Sequence, residues 1–136
     1  MPVKKMTNRF VVGFLISVAA CSTRTDSSSS VGSAAVAPAN QKDPMLARRW
    51  IGQGAAVIDV RTAEEFAEGH VDRAINIPVE DLAARMSDVS KLAGKDQPIV
   101  VYCASGHRAG KAQRALTAAG YSKVVNGGGF DDLKSP

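Results

Sequence analysis

From residue 43 onward, short apolar runs alternate with segments whose apolar residues recur at helical spacing. The apolar runs are rich in β-branched residues and predict strands at residues 56–61, 74–77, 98–102 and 123–126. The segments between them predict helices at residues 44–51, 62–69, 80–92 (where the pattern allows a break near Ser87) and 108–119, with a stub from 130. Apolar strands separated by helices are typical of a parallel sheet covered on both faces. The pattern therefore predicts an α/β fold in one domain, residues 43–136, with a central, mostly parallel sheet and helices on both faces.

Capping residues mark several of the predicted helix ends. Asp43 followed by Pro44 is a favourable start, because the aspartate accepts a backbone N–H and proline suits the first turn. Thr62 and Glu65 have the spacing of a capping box. Gly69 suits the left-handed position that often ends a helix.

The first 21 residues have the organisation of a bacterial export signal. Lys4, Lys5 and Arg9 precede an uncharged run at 10–20, which is too short to span a membrane because spanning takes about 20 apolar residues. The run ends at Cys21 in a pattern that resembles a lipoprotein box, in which the cysteine is acylated and becomes the mature N-terminus. Ordinary cleavage just before an incidental free thiol is the alternative.

Residues 22–42 are rich in serine and alanine and contain no apolar residue larger than valine. Such a segment cannot bury enough surface to offset the entropy of ordering, so it predicts a flexible tether. Ser22 directly follows Cys21, and by resemblance to other lipoproteins this favours the outer membrane over the inner one. The expectation is an exported protein on the periplasmic side, bound to the membrane through a lipid anchor.

The overall charge changes this picture little. The chain has 17 basic and 13 acidic residues and a formal charge of +4. Without the three basic residues of the signal, the balance is 14 basic residues against 13 acidic ones. No basic cluster remains, so we do not expect nucleic acid as a partner. The apolar content of 45% also excludes a fully disordered chain.

Cys103 follows the most apolar predicted strand, which places it at the carboxyl edge of the sheet, where open parallel sheets bind ligands. The chain then turns into a helix N-terminus, whose backbone N–H groups lack helical acceptors and carry the positive end of the dipole. Such a loop can hold an anion and stabilise a thiolate. We therefore predict Cys103 as the catalytic nucleophile. The predicted substrate-binding residues are Ala104, Ser105, Gly106, His107 and Arg108.

Five short motifs together resemble a single-domain rhodanese. They are Asp59-Val60-Arg61, Gly69-His70-Val71, Asn76-Ile77-Pro78, the run from Val100 to Arg108, and Asn126-Gly127-Gly128-Gly129. The resemblance covers residues 43 to 134 and implies a rhodanese-like domain. It also implies that Asp59 and Arg61 form a chiefly structural pair near the mouth of the site. The triple glycine is expected to form a turn that packs beside the cysteine loop.

The resemblance implies a sulfurtransferase of the thiosulfate type. In that chemistry the thiolate of Cys103 takes a sulfane sulfur from a small anionic donor and becomes a persulfide. Cyanide or a cellular thiol then accepts the sulfur, so the whole reaction has two covalent steps. Arg108 is the side chain expected to bind the anionic end of the donor. No metal and no cofactor are expected.

Two other functions stay open. A phosphatase or arsenate reductase of the related kind uses Cys-x5-Arg, whereas only four residues separate Cys103 from Arg108. A non-catalytic binding module or persulfide carrier on the same fold is the second alternative, because a fold does not establish an activity. A cysteine that ends a buried strand can also be a plain core residue. Here the loop that follows it favours the reactive role.

Overall fold

The computed structural model describes residues 41–134. The strands in this part of the chain are β1 (Ala56–Asp59), β2 (Ile75–Asn76), β3 (Ile99–Cys103) and β4 (Val124–Gly129). The helices are α1 (Pro44–Gly52), α2 (Ala63–Glu68), α3 (Met86–Leu92), α4 (His107–Ala118) and α5 (Phe130–Lys134). The predicted signal at 1–21, with Cys21, and the predicted tether up to residue 40 lie outside the described residues. Within 41–134, no helix is long and apolar enough to cross a membrane.

The four strands form one sheet in the order β2-β1-β3-β4, and every neighbouring pair is parallel. All five residues of β3 are buried. Because side chains alternate along a strand, Val101 and Cys103 face the core under α3 and α4. Val100 and Tyr102 face the opposite core, under α1 and α5. The prediction of an α/β domain with helices on both faces is confirmed.

Two helices begin as the sequence predicts. Asp43 caps α1, with its side chain accepting from the N–H of Leu46 at 2.9 Å. At α2 the capping box is complete, because Thr62 accepts from the N–H of Glu65 while the Glu65 carboxylate accepts from the N–H of Thr62. This box fixes where Glu65 lies, which matters for the site below.

The helix predicted at 80–92 is shorter than expected. Residues 79–85 form successive turns, and only Met86–Leu92 is helical. Arg85 precedes the helix with non-helical angles (φ −102°, ψ 22°), and its guanidinium donates to the carbonyl of Asn76 at 3.2 Å. Leu82 is buried in the core from within the turns. These contacts favour the turns over a continuous helix.

The turn predicted at the triple glycine is wrong, because β4 continues through Gly129. A Cβ at Gly127 would lie 3.1 Å from Leu133 and 3.2 Å from Ala47, and one at Gly129 would collide with the carbonyl oxygen of Ala104. The missing side chains therefore let the strand pass between α1, α5 and the loop after β3. The expected contact between these glycines and the loop is present.

Candidate active site

Cys103 ends β3 at the carboxyl edge of the sheet, and its side chain is fully buried. Its neighbours in the core include Val101 and Ala109. The sulfur does not have an entirely apolar environment, since the backbone N–H of Gly106 donates to Sγ at 3.0 Å. A polar donor directed at a buried sulfur stabilises negative charge there.

The loop after Cys103 is short and leads directly into α4. Gly106 is the N-cap of this helix, with a left-handed backbone (φ +93°, ψ −11°). Its carbonyl accepts from the N–H of Gly110 at 2.9 Å. The N–H groups of residues 107–109 lie before Gly110 in the first turn, so no carbonyl within the helix can accept from them. Ala104, Ser105 and His107 are exposed and Gly106 is buried.

Asn126 joins the loop to β4. Its Nδ2 donates to the carbonyl of Gly106 at 2.9 Å, and its Oδ1 accepts from the N–H of Gly128 at 2.9 Å. The side chain is nearly fully buried, with 2% exposed. The β3–β4 register shifts beside it, because Val101 pairs with Asn126 whereas Cys103 pairs with Gly129. Bulges of this kind often lie next to active sites and redirect side chains.

Arg108 lies against Glu65 in a two-pronged ion pair. Its Nη1 and Nη2 donate to the two carboxylate oxygens at 2.7 and 2.8 Å. Hydrogen bonds from Arg108 and from the N–H of Thr62 lower the pKa of Glu65 to about 2, and the same pairing raises the pKa of Arg108. The structure thus places the cation predicted to bind the donor beside a carboxylate. Donor binding by Arg108 stays a prediction.

The Glu65–Arg108 pair should make stability depend on pH in a defined direction. The ordinary pKa of Glu65, 4.5, falls to about 2 in the folded chain. A lowered folded-state pKa gives stability that is complete above 4.5 and is lost as the pH falls towards 2. We expect Glu65→Gln to lower the free energy of unfolding by about 1 kcal/mol at pH 7.

Urea unfolding of the parent and Glu65→Gln between pH 7 and pH 3 measures this effect. The difference between the two should shrink below pH 4.5. Glu68→Gln is the control, because it removes the same charge from the same helix without touching Arg108. A Glu65→Gln difference that stays constant down to pH 3 would contradict this account of the pair.

Asp59 and Arg61 form a buried ion pair at the end of β1. Arg61 Nη2 donates to Oδ2 of Asp59 at 2.7 Å and to the carbonyl of Gly69 at 2.6 Å. The pair has almost no exposed surface, with side chains 7% and 0% exposed for Arg61 and Asp59. The guanidinium also lies 4.6 Å from the ring centre of Phe130, and hydrogen bonding to Asp59 raises the pKa of Arg61. These contacts hold the loop before α2, the helix that carries Glu65.

A surface cavity of about 180 Å³ adjoins the cysteine loop. Its lining consists of Lys42, Ser105, Gly106, His107 and Asn126. Three of these residues were predicted to bind substrate. Lys42 and Asn126 were not, because Lys42 falls in the predicted tether and Asn126 reads as part of a strand. Lys42 lies beside Asn126 through an isolated parallel bridge, a pairing between residues distant in sequence that leaves no local signal.

These observations define a class of protein: an α/β domain with a cysteine at the end of a central parallel strand, beneath a loop that opens a helix. The family follows from comparison with known proteins. Residues 43–135 match the model of the rhodanese-like domain. The chain belongs to the rhodanese-like domain family.

Similar proteins include named sulfurtransferases. The chain is 37% identical over 79 residues to thiosulfate sulfurtransferase PspE of Escherichia coli (strain K12), covering 58% of this chain and 74% of that one. It is 38% identical over 99 residues to thiosulfate sulfurtransferase 18 of Arabidopsis thaliana, covering 65% and 73%. A solved rhodanese with anions from E. coli is 35% identical, with a TM-score of 0.55 and coverage of 61% of this chain and 95% of that one.

Proposed function

We propose that the protein is a sulfurtransferase that moves a sulfane sulfur from thiosulfate, or a similar small anionic donor, to a thiol or cyanide. The observation that carries the proposal is the N–H of Gly106 at 3.0 Å from the sulfur of Cys103. A buried thiol that served only packing would not need a loop amide directed at it. Named sulfurtransferases among the relatives support the same class of activity.

The proposed reaction has two steps. The Cys103 thiolate attacks the outer sulfur of thiosulfate, the S–S bond of the donor breaks, and sulfite leaves with the electron pair. The enzyme then carries a persulfide, whose outer sulfur bears the negative charge. Cyanide or a thiolate attacks that outer sulfur and the Cys103 thiolate is released. Loop N–H groups stabilise the anionic sulfur at each stage.

Burial of Cys103 adds a requirement to this mechanism. Cys103 has no exposed surface, so the mechanism includes an outward shift of the loop at 104–106 when the donor binds. Ser105 and Gly106, which follow Cys103 in the loop, line the surface cavity. We place the anionic end of the donor in that cavity during the first step.

Steady-state kinetics test the proposal. With thiosulfate and cyanide varied together, a persulfide enzyme gives parallel double-reciprocal lines and one sulfite for each thiocyanate. Lines that converge would contradict a covalent intermediate. If no sulfite forms, the result would favour a binding module. If no sulfite forms but the protein hydrolyses an aryl phosphate, the result would favour the alternative function of a phosphatase.

Gly106→Ala should lower the turnover number at least about tenfold, because the catalytic N–H is displaced. The backbone at Gly106 is left-handed (φ +93°), and an added Cβ would lie 3.2 Å from the Cα of Gly128. Gly120→Ala is a matched control, since Gly120 has φ +94° and nothing within 4 Å of an added Cβ. Both variants lose stability through strain, and only Gly106→Ala should lose activity. Equal turnover in the two variants would contradict the role given to the loop.

We also propose that the protein is exported and held on the periplasmic side of a membrane, with the outer membrane favoured, through acylation of Cys21. The proposal is supported by the basic start, the short apolar run and the position of Cys21 after it. Labelling cells with a fatty-acid analogue should tag the parent but not Cys21→Ala. An unlabelled parent in the soluble periplasmic fraction would indicate ordinary cleavage.

A further inference from the structure

Asn126 occupies a central place in the contacts that hold the cysteine loop. The sulfur of Cys103 accepts from the N–H of Gly106, and the carbonyl of that same residue accepts from Asn126 Nδ2. The Oδ1 of the same carboxamide accepts from the N–H of Gly128 in the bulged part of β4. One carboxamide thus connects the strand to the residue that contacts the sulfur.

The two contacts of Asn126 demand one donor and one acceptor. The carbonyl of Gly106 can only accept, and the N–H of Gly128 can only donate. Of the common side chains of this size, asparagine has both groups on one planar unit, whereas aspartate would set a second acceptor against the Gly106 carbonyl. Since 2% of the residue is exposed, water cannot readily replace a lost partner.

We propose that Asn126 is a positioning residue for sulfur transfer: it fixes the peptide plane that follows Gly106, which restricts rotation at Gly106 and so keeps the Gly106 N–H directed at the sulfur of Cys103. This inference rests on the proposed function for its kinetic consequence. Its structural content, the stabilisation of the thiolate through the loop, does not depend on the identity of the substrate. The side-chain hydrogen bonds of Asn126 go to Gly106 and Gly128 and not to the sulfur, although the residue also lines the cavity beside the loop.

The test compares Asn126→Asp with Asn76→Asp. Asn76 is a matched control, because its Nδ2 donates to the backbone carbonyls of Asp59 and Arg61 at 3.2 and 2.9 Å. Both variants therefore replace an amide donor to a main-chain carbonyl by a carboxylate. Asn76 lies on β2, at the opposite edge of the sheet from β4.

The first measurement is the rate of Cys103 alkylation by iodoacetamide as a function of pH, on the full chain with Cys21 replaced by serine. Asn126→Asp should move the midpoint of this profile upward by about half a pH unit or more, because the thiolate loses its aligned donor. Asn76→Asp should leave the midpoint unchanged. The second measurement is turnover with thiosulfate and cyanide, where Asn126→Asp should lose about tenfold in kcat with little change in KM.

An unchanged alkylation profile in Asn126→Asp, or an equal shift in Asn76→Asp, would overturn the proposal. Asn126→Ser is measured alongside, because its hydroxyl cannot reach both partners and it adds no charge; a shift in Asn126→Asp that Asn126→Ser does not share would reflect the charge of the new carboxylate and would overturn the proposal. Alkylation does not require sulfur transfer. A shifted profile in a protein whose parent transfers no sulfur would therefore keep the positioning role and refute the proposed function.

Discussion

Cys103→Ser should reduce sulfur transfer from thiosulfate to cyanide by at least about a thousandfold, the order of loss seen when a catalytic nucleophile is removed. A serine hydroxyl is smaller than the thiol and keeps an acceptor atom for the N–H of Gly106, which donates to Sγ in the parent. Serine cannot carry a sulfane sulfur, because its hydroxyl stays protonated at neutral pH and is a much weaker nucleophile than a thiolate. The variant should therefore fold normally and fail only in chemistry.

Thiocyanate formation and thermal unfolding, measured on the same preparations, separate these two effects. Cys21→Ser is the matched control, since it removes the other cysteine of the chain, which is not one of the residues assigned to the proposed site. It should retain the turnover of the parent. Activity in Cys103→Ser clearly above about 0.1% of the parent, or a comparable loss in Cys21→Ser, would contradict the assignment of the nucleophile.

Asp59→Ala should produce the largest loss of stability of the substitutions considered, about 3–5 kcal/mol. It leaves the guanidinium of Arg61 buried without its carboxylate, since Asp59 accepts from both Nε and Nη2. The carbonyl of Gly69 then remains as a hydrogen-bond partner and Phe130 as a ring contact. A buried cation cannot recover its hydration in that position.

Thermal unfolding should show a fall in Tm of more than about 10 °C for Asp59→Ala. Asp131→Ala is the control, because Asp131 is 93% exposed and lies 3.6 Å from Lys134 in a surface pair. That pair contributes at most about 1 kcal/mol. A fall in Tm for Asp59→Ala no larger than that of the control would mean that the buried pair is not a structural element of the domain.

Local patterns in the sequence predict much of the fold. Apolar runs and capping residues gave the parallel sheet, the start of α1 at Pro44, and the capping box of Thr62 with Glu65. The helix predicted at 80–92 was too long, because contacts of Arg85 and Leu82 with the rest of the domain favour turns. Such contacts join distant parts of the chain and leave no periodic signal.

The candidate site shows the same contrast between local patterns, which the sequence reveals, and contacts between distant residues, which it does not. The position of Cys103 and its loop between a strand and a helix predicts them as the site, and that assignment stays a prediction; the partner of Arg108 was missed. Glu65 was already explained by its capping role, and it lies 43 positions from Arg108 in sequence. Asn126 contacts Gly106 across 20 positions through a bulge that alternating patterns do not reveal. For a residue with two roles, such as Glu65, the sequence pattern reveals only the role that involves neighbouring residues.

Intact-mass analysis after treatment with thiosulfate is the most direct test of the central claim, which is that Cys103 carries sulfur as a persulfide. The protein should gain the mass of one sulfur atom, located on Cys103 by peptide mapping, and should lose it when cyanide is added. Cys103→Ser should gain nothing under the same conditions. No added mass on the parent, or added sulfur that cyanide does not remove, would contradict the account.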